Sequence, residues 1–402
     1  MPSKSYIPRD IRNELHAAAA EYPVVTIMGP RQSGKTTLAQ MEFPDKPHRS
    51  LEDPDIRLAA ELDPRGFLNQ YPKGAVFDEI QRVPQLPSYL QTIVDQHPSP
   101  GRYILIGSHQ PLLHQAISQT LAGRTALLTL LPFSFTELRT LRNIKKDAPS
   151  ENDPYDMIVK GSFPRLSTEG LKPDRFFNSY VATYLERDIR AIFNLKDLSR
   201  FQQFLALLAG RVGQIVNYAS LGNDVGVTGT TLKQWISALK ASYVVFELPP
   251  YFENIGKRLI KSPKIYFTDT GLLSYLLGIR SSEQAKRDPL RGGLYENLMI
   301  LEVLKRRLNI GMRPELYFYR DSYGNEVDLV IKNGARLTPI EIKSAETFSK
   351  DFLVGIDRFK RVFGEERCEA GKVFYNGDQQ FNVKGIGISN PLVHLEGFEF
   401  RG

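Results

Sequence analysis

The chain has 402 residues, of which 42% are hydrophobic and 24% charged, the balance of a soluble globular protein with two or three domains. It has no apolar run long enough to span a bilayer, no signal-type apolar core after Met1-Pro2-Ser3-Lys4, and one cysteine, Cys368, so a cytoplasmic protein without internal disulfides or membrane contact is expected. The net charge of +7 permits contact with nucleic acid without demanding it.

Residues 10–21 read as a helix leading into the β-branched run Val24-Val25-Thr26-Ile27-Met28. Next comes Gly29-Pro30-Arg31-Gln32-Ser33-Gly34-Lys35-Thr36-Thr37, and residues 37–41 can continue as a helix. Strand, glycine-bounded loop ending in Lys-Thr, and helix make the full context of a phosphate-binding P-loop. The glycines let the backbone bend round a phosphate with its N–H groups turned inward, and the positive end of the helix faces the negative charge. Lys35 would reach the β- and γ-phosphates of ATP, and the Thr36 hydroxyl would ligate Mg²⁺.

Residues 50–52 suggest a short second strand and 54–62 the helix after it. Ala75-Val76-Phe77-Asp78-Glu79 is an apolar strand ending in two acids, the pattern of a Walker B strand. Asp78 would hold Mg²⁺ through water, and Glu79 would polarise the attacking water. Residues 102–108 form another buried strand, whose last residue, Ser108, would sense the γ-phosphate or position the water. His109 and Gln110 are nearby options, and a simple turn into a helix over 112–121 is the plain alternative. Gly123-Arg124 precedes a strand over 126–130. An arginine here is expected at the edge of the nucleotide pocket, where oligomeric ATPases often carry a finger that stabilises charge in a neighbour's site; the alternative is a surface arginine.

Together with Leu38, these segments, Phe77-Asp78-Glu79-Ile80-Gln81, Gly107-Ser108, Leu121-Ala122-Gly123-Arg124 and Leu131-Pro132-Phe133-Ser134-Phe135-Thr136-Glu137-Leu138 resemble a prokaryotic AAA+-type ATPase family. The resemblance implies an ATPase core over 1–131, a parallel sheet with the sensor strand between the P-loop and Walker B strands, and a helical lid over 132–195. Residues 141–156 would be a polar loop inside that lid. Arg165 and Arg187 are both candidates for the lid arginine that approaches the phosphate, or for a structural ion pair.

Residues 196–280 give helices over 201–209 and 217–223, then a third capped by Thr228, with Leu232, Trp235, Ile236 and Leu239 on one face. Strands over 243–252 and 264–268 complete a winged-helix pattern. It would offer DNA phosphates Lys233, Gln234, Ser237 and Lys240 from the helix and Lys257, Arg258, Lys261 and Lys264 from the wing; the alternative is a packing module.

After a polar connector over 281–291, a helix over 293–307 carries Tyr295-Glu296-Asn297, and strands follow over 316–320, 326–331 and 338–343. Glu341 and Lys343 share one side of their strand, with Asp328 beside Glu341 on the preceding one. Two such carboxylates can share Mg²⁺ and activate water, with Lys343 orienting that water or stabilising the developing charge. Glu296, Asp328, Glu341 and Lys343 match in order the functional positions of the PD-(D/E)XK, or restriction-endonuclease-like, superfamily, which the region 290–402 resembles. The resemblance implies three metal carboxylates, Glu296, Asp328 and Glu341, and a catalytic Lys343. The expected whole is an α/β chain: P-loop sheet, helical lid, winged helix and nuclease-like domain. ATP, Mg²⁺, DNA and a second copy of the chain are its expected partners. The alternative is a regulatory ATPase whose C-terminal domain is a catalytically inactive docking module.

Overall fold

Val24–Met28 (β1) is buried at every position because both faces of its sheet are covered. Val25 and Ile27 pack with Leu15 and Leu38, whereas Val24 and Met28 face a separate core with Phe77, Leu90 and Leu105. The computed structural model describes residues 7–108, 120–145, 153–185, 198–252 and 262–394. His109, Gln110, Arg187, Lys257, Arg258, Lys261 and most of the helix expected over 112–121 lie outside the described residues.

The first region runs α1 (Arg12–Glu21), β1, α2 (Lys35–Glu42), β2 (His48–Ser50), α3 (Pro54–Leu62), α4 (Pro64–Asn69), β3 (Val76–Asp78), α5 (Leu86–Gln96), β4 (Tyr103–Gly107) and β5 (Thr125–Thr129). Its sheet is parallel throughout, in the order β2-β3-β4-β1-β5. β4, which leads into Ser108, therefore lies between the P-loop strand and the strand ending in Asp78, as the family resemblance implied.

A helical region follows: α6 (Phe135–Lys145), α7 (Pro154–Lys160), α8 (Pro164–Glu169) and α9 (Pro173–Tyr180), then a π-helical turn at Val181–Leu185. Three of these helices open on proline, whose fixed φ suits a helix start and whose missing N–H is not needed there. The expected polar loop over 141–156 is instead helical at both described ends, because α6 continues to Lys145 and α7 begins at Pro154.

Next come α10 (Leu198–Ala209), α11 (Tyr218–Val225), α12 (Gly229–Ala241) and the antiparallel pair β6 (Val245–Leu248) and β7 (Lys264–Phe267). Thr228 caps α12 by accepting from Thr231 N–H at 3.1 Å, and Trp235 packs on Phe201 and Phe204. β6 is shorter than the expected 243–252, because Tyr243 takes a left-handed backbone before it. α13 (Thr270–Leu277) and α14 (Ser282–Arg287) follow. The expected connector over 281–291 thus contains a helix, started by a reciprocal capping box between Ser281 and Gln284.

The last region holds α15 (Arg291–Asn309), β8 (Leu316–Arg320), β9 (Glu326–Asn333), β10 (Arg336–Lys343), α16 (Val354–Phe363), β11 (Lys372–Tyr375), β12 (Phe381–Val383) and β13 (Ile386–Ser389). Its mixed sheet has the order β12-β13-β11-β10-β9-β8, with β10 antiparallel to β9 and parallel to β11. α15 is buried on nearly every side because it packs on β10, α7, β7 and β5 and so joins the last region to the three before it.

Candidate functional site

Two constellations form, one at the carboxyl edge of the parallel sheet and one where the amino end of β9 meets the carboxyl end of β10 in the mixed sheet. In the first, β1 ends at Met28 and the chain turns at Gly29, whose φ is +151°. A Cβ there would lie 2.1 Å from the backbone oxygen of Leu130, just past β5, so only glycine fits. Gly34, at φ +94°, then starts α2 from a left-handed backbone. Lys35 is 6% exposed and donates to the carbonyls of Gly29 at 3.0 Å and Pro30 at 2.7 Å. Burial pushes its pKa down to about 8, against the opposing pull of Glu79 and Asp78. Among the described residues, Gln32 Oε1 and Ser33 Oγ are buried in this loop without a hydrogen-bond partner.

The parallel sheet brings Asp78 to the same place. Thr36 Oγ1 donates to Asp78 Oδ2 at 2.5 Å, and Asp78 Oδ1 accepts from Glu79 N–H at 2.8 Å. A hydroxyl and a carboxylate in contact are hard oxygen donors of the kind Mg²⁺ takes. Glu79 has φ +55°, a strained left-handed conformation for a residue with a side chain, at a cost of about 1–3 kcal/mol. Its carboxylate accepts from Gln81 Nε2 and from Ser108 Oγ, the latter at 3.4 Å, and Gln81 also donates to Ser108 Oγ at 3.3 Å. Ser108 is thus placed beside Glu79.

A cavity of about 510 Å³ opens over the loop, lined by Lys35, Thr36, Asp78, Glu79, Arg165 and Tyr184 among others. Arg165 comes from α8 and pairs with Glu169 at 2.9 Å, so the cavity wall and the ion pair expected of it coexist. The Arg31 guanidinium lies 5.4 Å from the centre of the Tyr184 ring.

Sequence reasoning missed Gln81's contact and, more fully, Arg9. The Arg9 guanidinium bonds Ser33 O at 2.8 Å, Leu131 O at 2.7 Å and Glu137 Oε1 at 2.8 Å, and it lies 4.9 Å from the centre of the Phe133 ring. A single arginine before the first helix carries no sequence signal for that role. Gln81 stood inside the Asp78-Glu79 motif, and its position two residues after Glu79 was the available clue.

Arg124 requires a correction. Thr125 pairs with Val24 and Thr129 with Met28, so the residue before β5 sits at the sheet's amino edge. The P-loop leaves the carboxyl edge, and Arg124 is therefore not at the rim of its own chain's pocket. It makes a two-pronged, solvent-exposed pair with Asp95, at 2.5 and 2.9 Å.

The second constellation gathers Asp328, Glu341 and Lys343. Lys343 Nζ lies 3.0 Å from Asp328 Oδ2 and 2.6 Å from Glu341 Oε2, and Ile342 N–H donates to Asp328 Oδ2 at 2.8 Å. Burial and then the charge of Asp328 hold the Glu341 pKa well above its ordinary value. Burial would also raise Asp328, but Lys343 and Lys264 outweigh it and hold that carboxyl low. Glu296, raised by burial to about 7, faces Lys264 at 3.1 Å and accepts from the Tyr266 hydroxyl. Among the described residues no group of three or more His, Cys, Asp or Glu side chains is arranged to hold a metal ion. The expected metal trio of Glu296, Asp328 and Glu341 is thus not met, because their oxygens are turned to lysines. Lys264, expected to contact phosphate from a wing, is buried.

Residues 21–139 match the model described as AAA domain, 151–283 that of a Domain of unknown function (DUF8612), and 291–394 that of a Domain of unknown function (DUF4143). With the P-loop geometry above, they define a chain with an AAA P-loop domain followed by two domains of unknown function. The uncharacterized protein Rv2008c of Mycobacterium tuberculosis is 33% identical over 342 residues, 84% of this chain and 74% of that one, and Mb2031c of Mycobacterium bovis matches equally. The chain belongs to the family of these two proteins. Among solved structures, it is similar to the Walker-type ATPase PABY2304 of Pyrococcus abyssi, at 16% identity, with 68% of this chain and 97% of that one covered and a TM-score of 0.42. DnaA from Aquifex aeolicus gives 14% identity, 57% and 85% coverage and a TM-score of 0.32. Among the described residues, no helix is long and apolar enough to cross a membrane.

Proposed function

We propose that the chain is an ATP-hydrolysing switch. The observation that carries this is the meeting of Lys35, the Thr36–Asp78 contact and Glu79 at one sheet edge, beneath a cavity of about 510 Å³. Gly29, Pro30, Arg31, Gln32, Ser33, Gly34 and Thr37 wrap the phosphates with their backbone, and Lys35 gives up its carbonyl contacts for the β- and γ-phosphates. Thr36 and Asp78 would hold Mg²⁺, which neutralises charge on the phosphate oxygens. Glu79, aimed by Gln81 and Ser108, accepts the proton of the attacking water. Arg124, at the far edge of the sheet, serves as a finger in the site of a second copy rather than its own. Lys35→Ala should weaken binding of a fluorescent ATP analogue, and Thr36→Ala should raise the Mg²⁺ needed for phosphate release. ATP binding that survives Lys35→Ala unchanged would overturn the assignment.

The domain bounds follow the same reading: an ATPase core to 131, a lid to 195, a winged helix to 280 and a nuclease-like domain from 290. Contact with DNA phosphates rests on Lys233, Gln234 and Ser237, which are exposed together on α12. For the last domain, the docking-module reading is favoured over an active nuclease by one observation: Lys264 lies among its carboxylates.

A further inference from the structure

Lys264 opens β7, and its side chain is 4% exposed. Its ammonium lies 3.1 Å from Glu296 Oε1 and 2.6 Å from Glu326 Oε1, on α15 and β9 respectively. Asp328, two residues after Glu326 on the same side of β9, is a third carboxyl group acting on it. Burial alone would lower the lysine's pKa, but these carboxylates outweigh it and raise it, so the ammonium stays charged at neutral pH. It also lies 5.4 Å from the centre of the Phe318 ring.

The neighbouring residues fix it there. Asn297 is fully buried; its Oδ1 accepts from Phe267 N–H at 2.7 Å and its Nδ2 donates to Phe267 O at 2.9 Å. The Tyr266 hydroxyl donates to Glu296. Lys264, Tyr266 and Phe267 of β7 are thus all tied to Glu296 and Asn297 of α15. A wing strand that reads phosphates needs its cations turned outward, the opposite arrangement.

The carboxylates are closed off on other sides too. A Cβ on Gly355, in the first turn of α16, would lie 2.0 Å from Glu341 Oε1, and one on Gly213 would lie 3.1 Å from Glu296 Oε2. A Mg²⁺ ion takes an octahedron of oxygens and keeps several waters, whereas these oxygens meet ammonium groups, a hydroxyl and packed backbone. Four acids face Lys264, Lys343 and, at Glu326, the Arg320 guanidinium at 3.4 Å, and burial favours the neutral form of Glu296 and Glu341, which lets the cluster balance its charge without a metal.

We infer that the C-terminal carboxylates form a socket for Lys264, whose ammonium is their resident cation and locks β7 onto α15 and β9. The inference builds on the docking-module reading and is independent of ATP hydrolysis. It predicts that the socket takes a divalent metal only when the lysine is removed.

The test is thermal unfolding of the full chain without nucleotide, with and without Mn²⁺. The variants are Lys264→Met, Glu326→Gln, their double, and Asp328→Asn added to wild type and to Lys264→Met. Lys264→Met should lower Tm by about 5 °C or more, because it strands buried carboxylates. Glu326→Gln should cost less in that background than in wild type, the mark of a shared contact. Wild type should show no Mn²⁺ shift that Asp328→Asn removes, and Lys264→Met should gain one. Additive effects of the two substitutions would overturn the socket while leaving the docking reading standing. An Asp328-dependent Mn²⁺ shift in wild type would overturn both, making the cluster a metal centre. Should Lys264→Met not fold, Glu326→Gln is compared with Arg320→Gln, which removes that carboxylate's other partner: a Tm lowered further by Glu326→Gln supports the lock, and one lowered no further refutes it.

Discussion

ATP binding should make the protein take up a proton above neutral pH. Burial holds free Lys35 at a pKa of about 8, below its ordinary 10.5. At about pH 8.5 only about a quarter of the molecules carry that proton, and at pH 7 about nine tenths do. Triphosphate beside the ammonium restores a pKa well above 10, so binding should draw in about three quarters of a proton at pH 8.5 and about a tenth at pH 7. Titration calorimetry with a non-hydrolysable ATP analogue, in buffers of different ionisation enthalpy, reads this number directly. Lys35→Arg is the control, because guanidinium is charged throughout and the uptake should vanish even if affinity falls. No uptake at pH 8.5, or the same uptake in Lys35→Arg, would refute the claim that burial in the loop discharges this lysine.

Arg9→Ala should lower stability by about 3–5 kcal/mol in urea unfolding, because it leaves the buried Glu137 carboxylate without its guanidinium and frees two carbonyls beside the P-loop. Glu302 is raised by burial to about 7 although Lys305 and Arg306 pull it down, so between about pH 4.5 and 7 the folded chain holds a proton that the unfolded chain has released. Its share of stability is therefore lost as pH rises through that window, and Glu302→Gln should shrink the drop between about pH 5 and 7.5 by about 2 kcal/mol, measured by urea midpoints. ATP hydrolysis per protomer should rise with protein concentration and stay low at every concentration in Arg124→Ala; concentration-independent activity unaffected by that change would make Arg124 a surface residue.

The nucleotide site was legible because its parts are local. A glycine loop between a β-branched strand and a helix, and two acids after an apolar strand, each declare themselves within ten residues. Parallel pairing then dictates that Thr36 meets Asp78. The direction of β5 is equally implicit in a parallel sheet, and following that strand to its amino edge puts Arg124 away from the pocket rim that analogy with oligomeric ATPases suggests. The Glu296, Asp328, Glu341 and Lys343 pattern marked where charge gathers, but it could not show what neutralises it. Lys264 arrives from a distant hairpin, and nothing in its own segment distinguishes a buried counter-ion from a surface cation. Asn297 is a similar case: a polar residue on a buried helix makes sense only once Phe267 is seen beside it. The contact of α15 with Phe133 and Phe135, through Lys305 and Glu302, joins regions far apart in sequence and left no periodic trace.

The central claim is that Glu79 serves as the base of an ATP-hydrolysing site. The most direct test compares wild type and Glu79→Gln at saturating ATP and Mg²⁺, measuring nucleotide binding and phosphate release on the same preparations. Glutamine keeps the shape and the acceptor oxygen but cannot take the proton. The prediction is unchanged binding with turnover reduced at least ~100-fold, the scale of losing a general base. Release of phosphate by Glu79→Gln at the wild-type rate would contradict it.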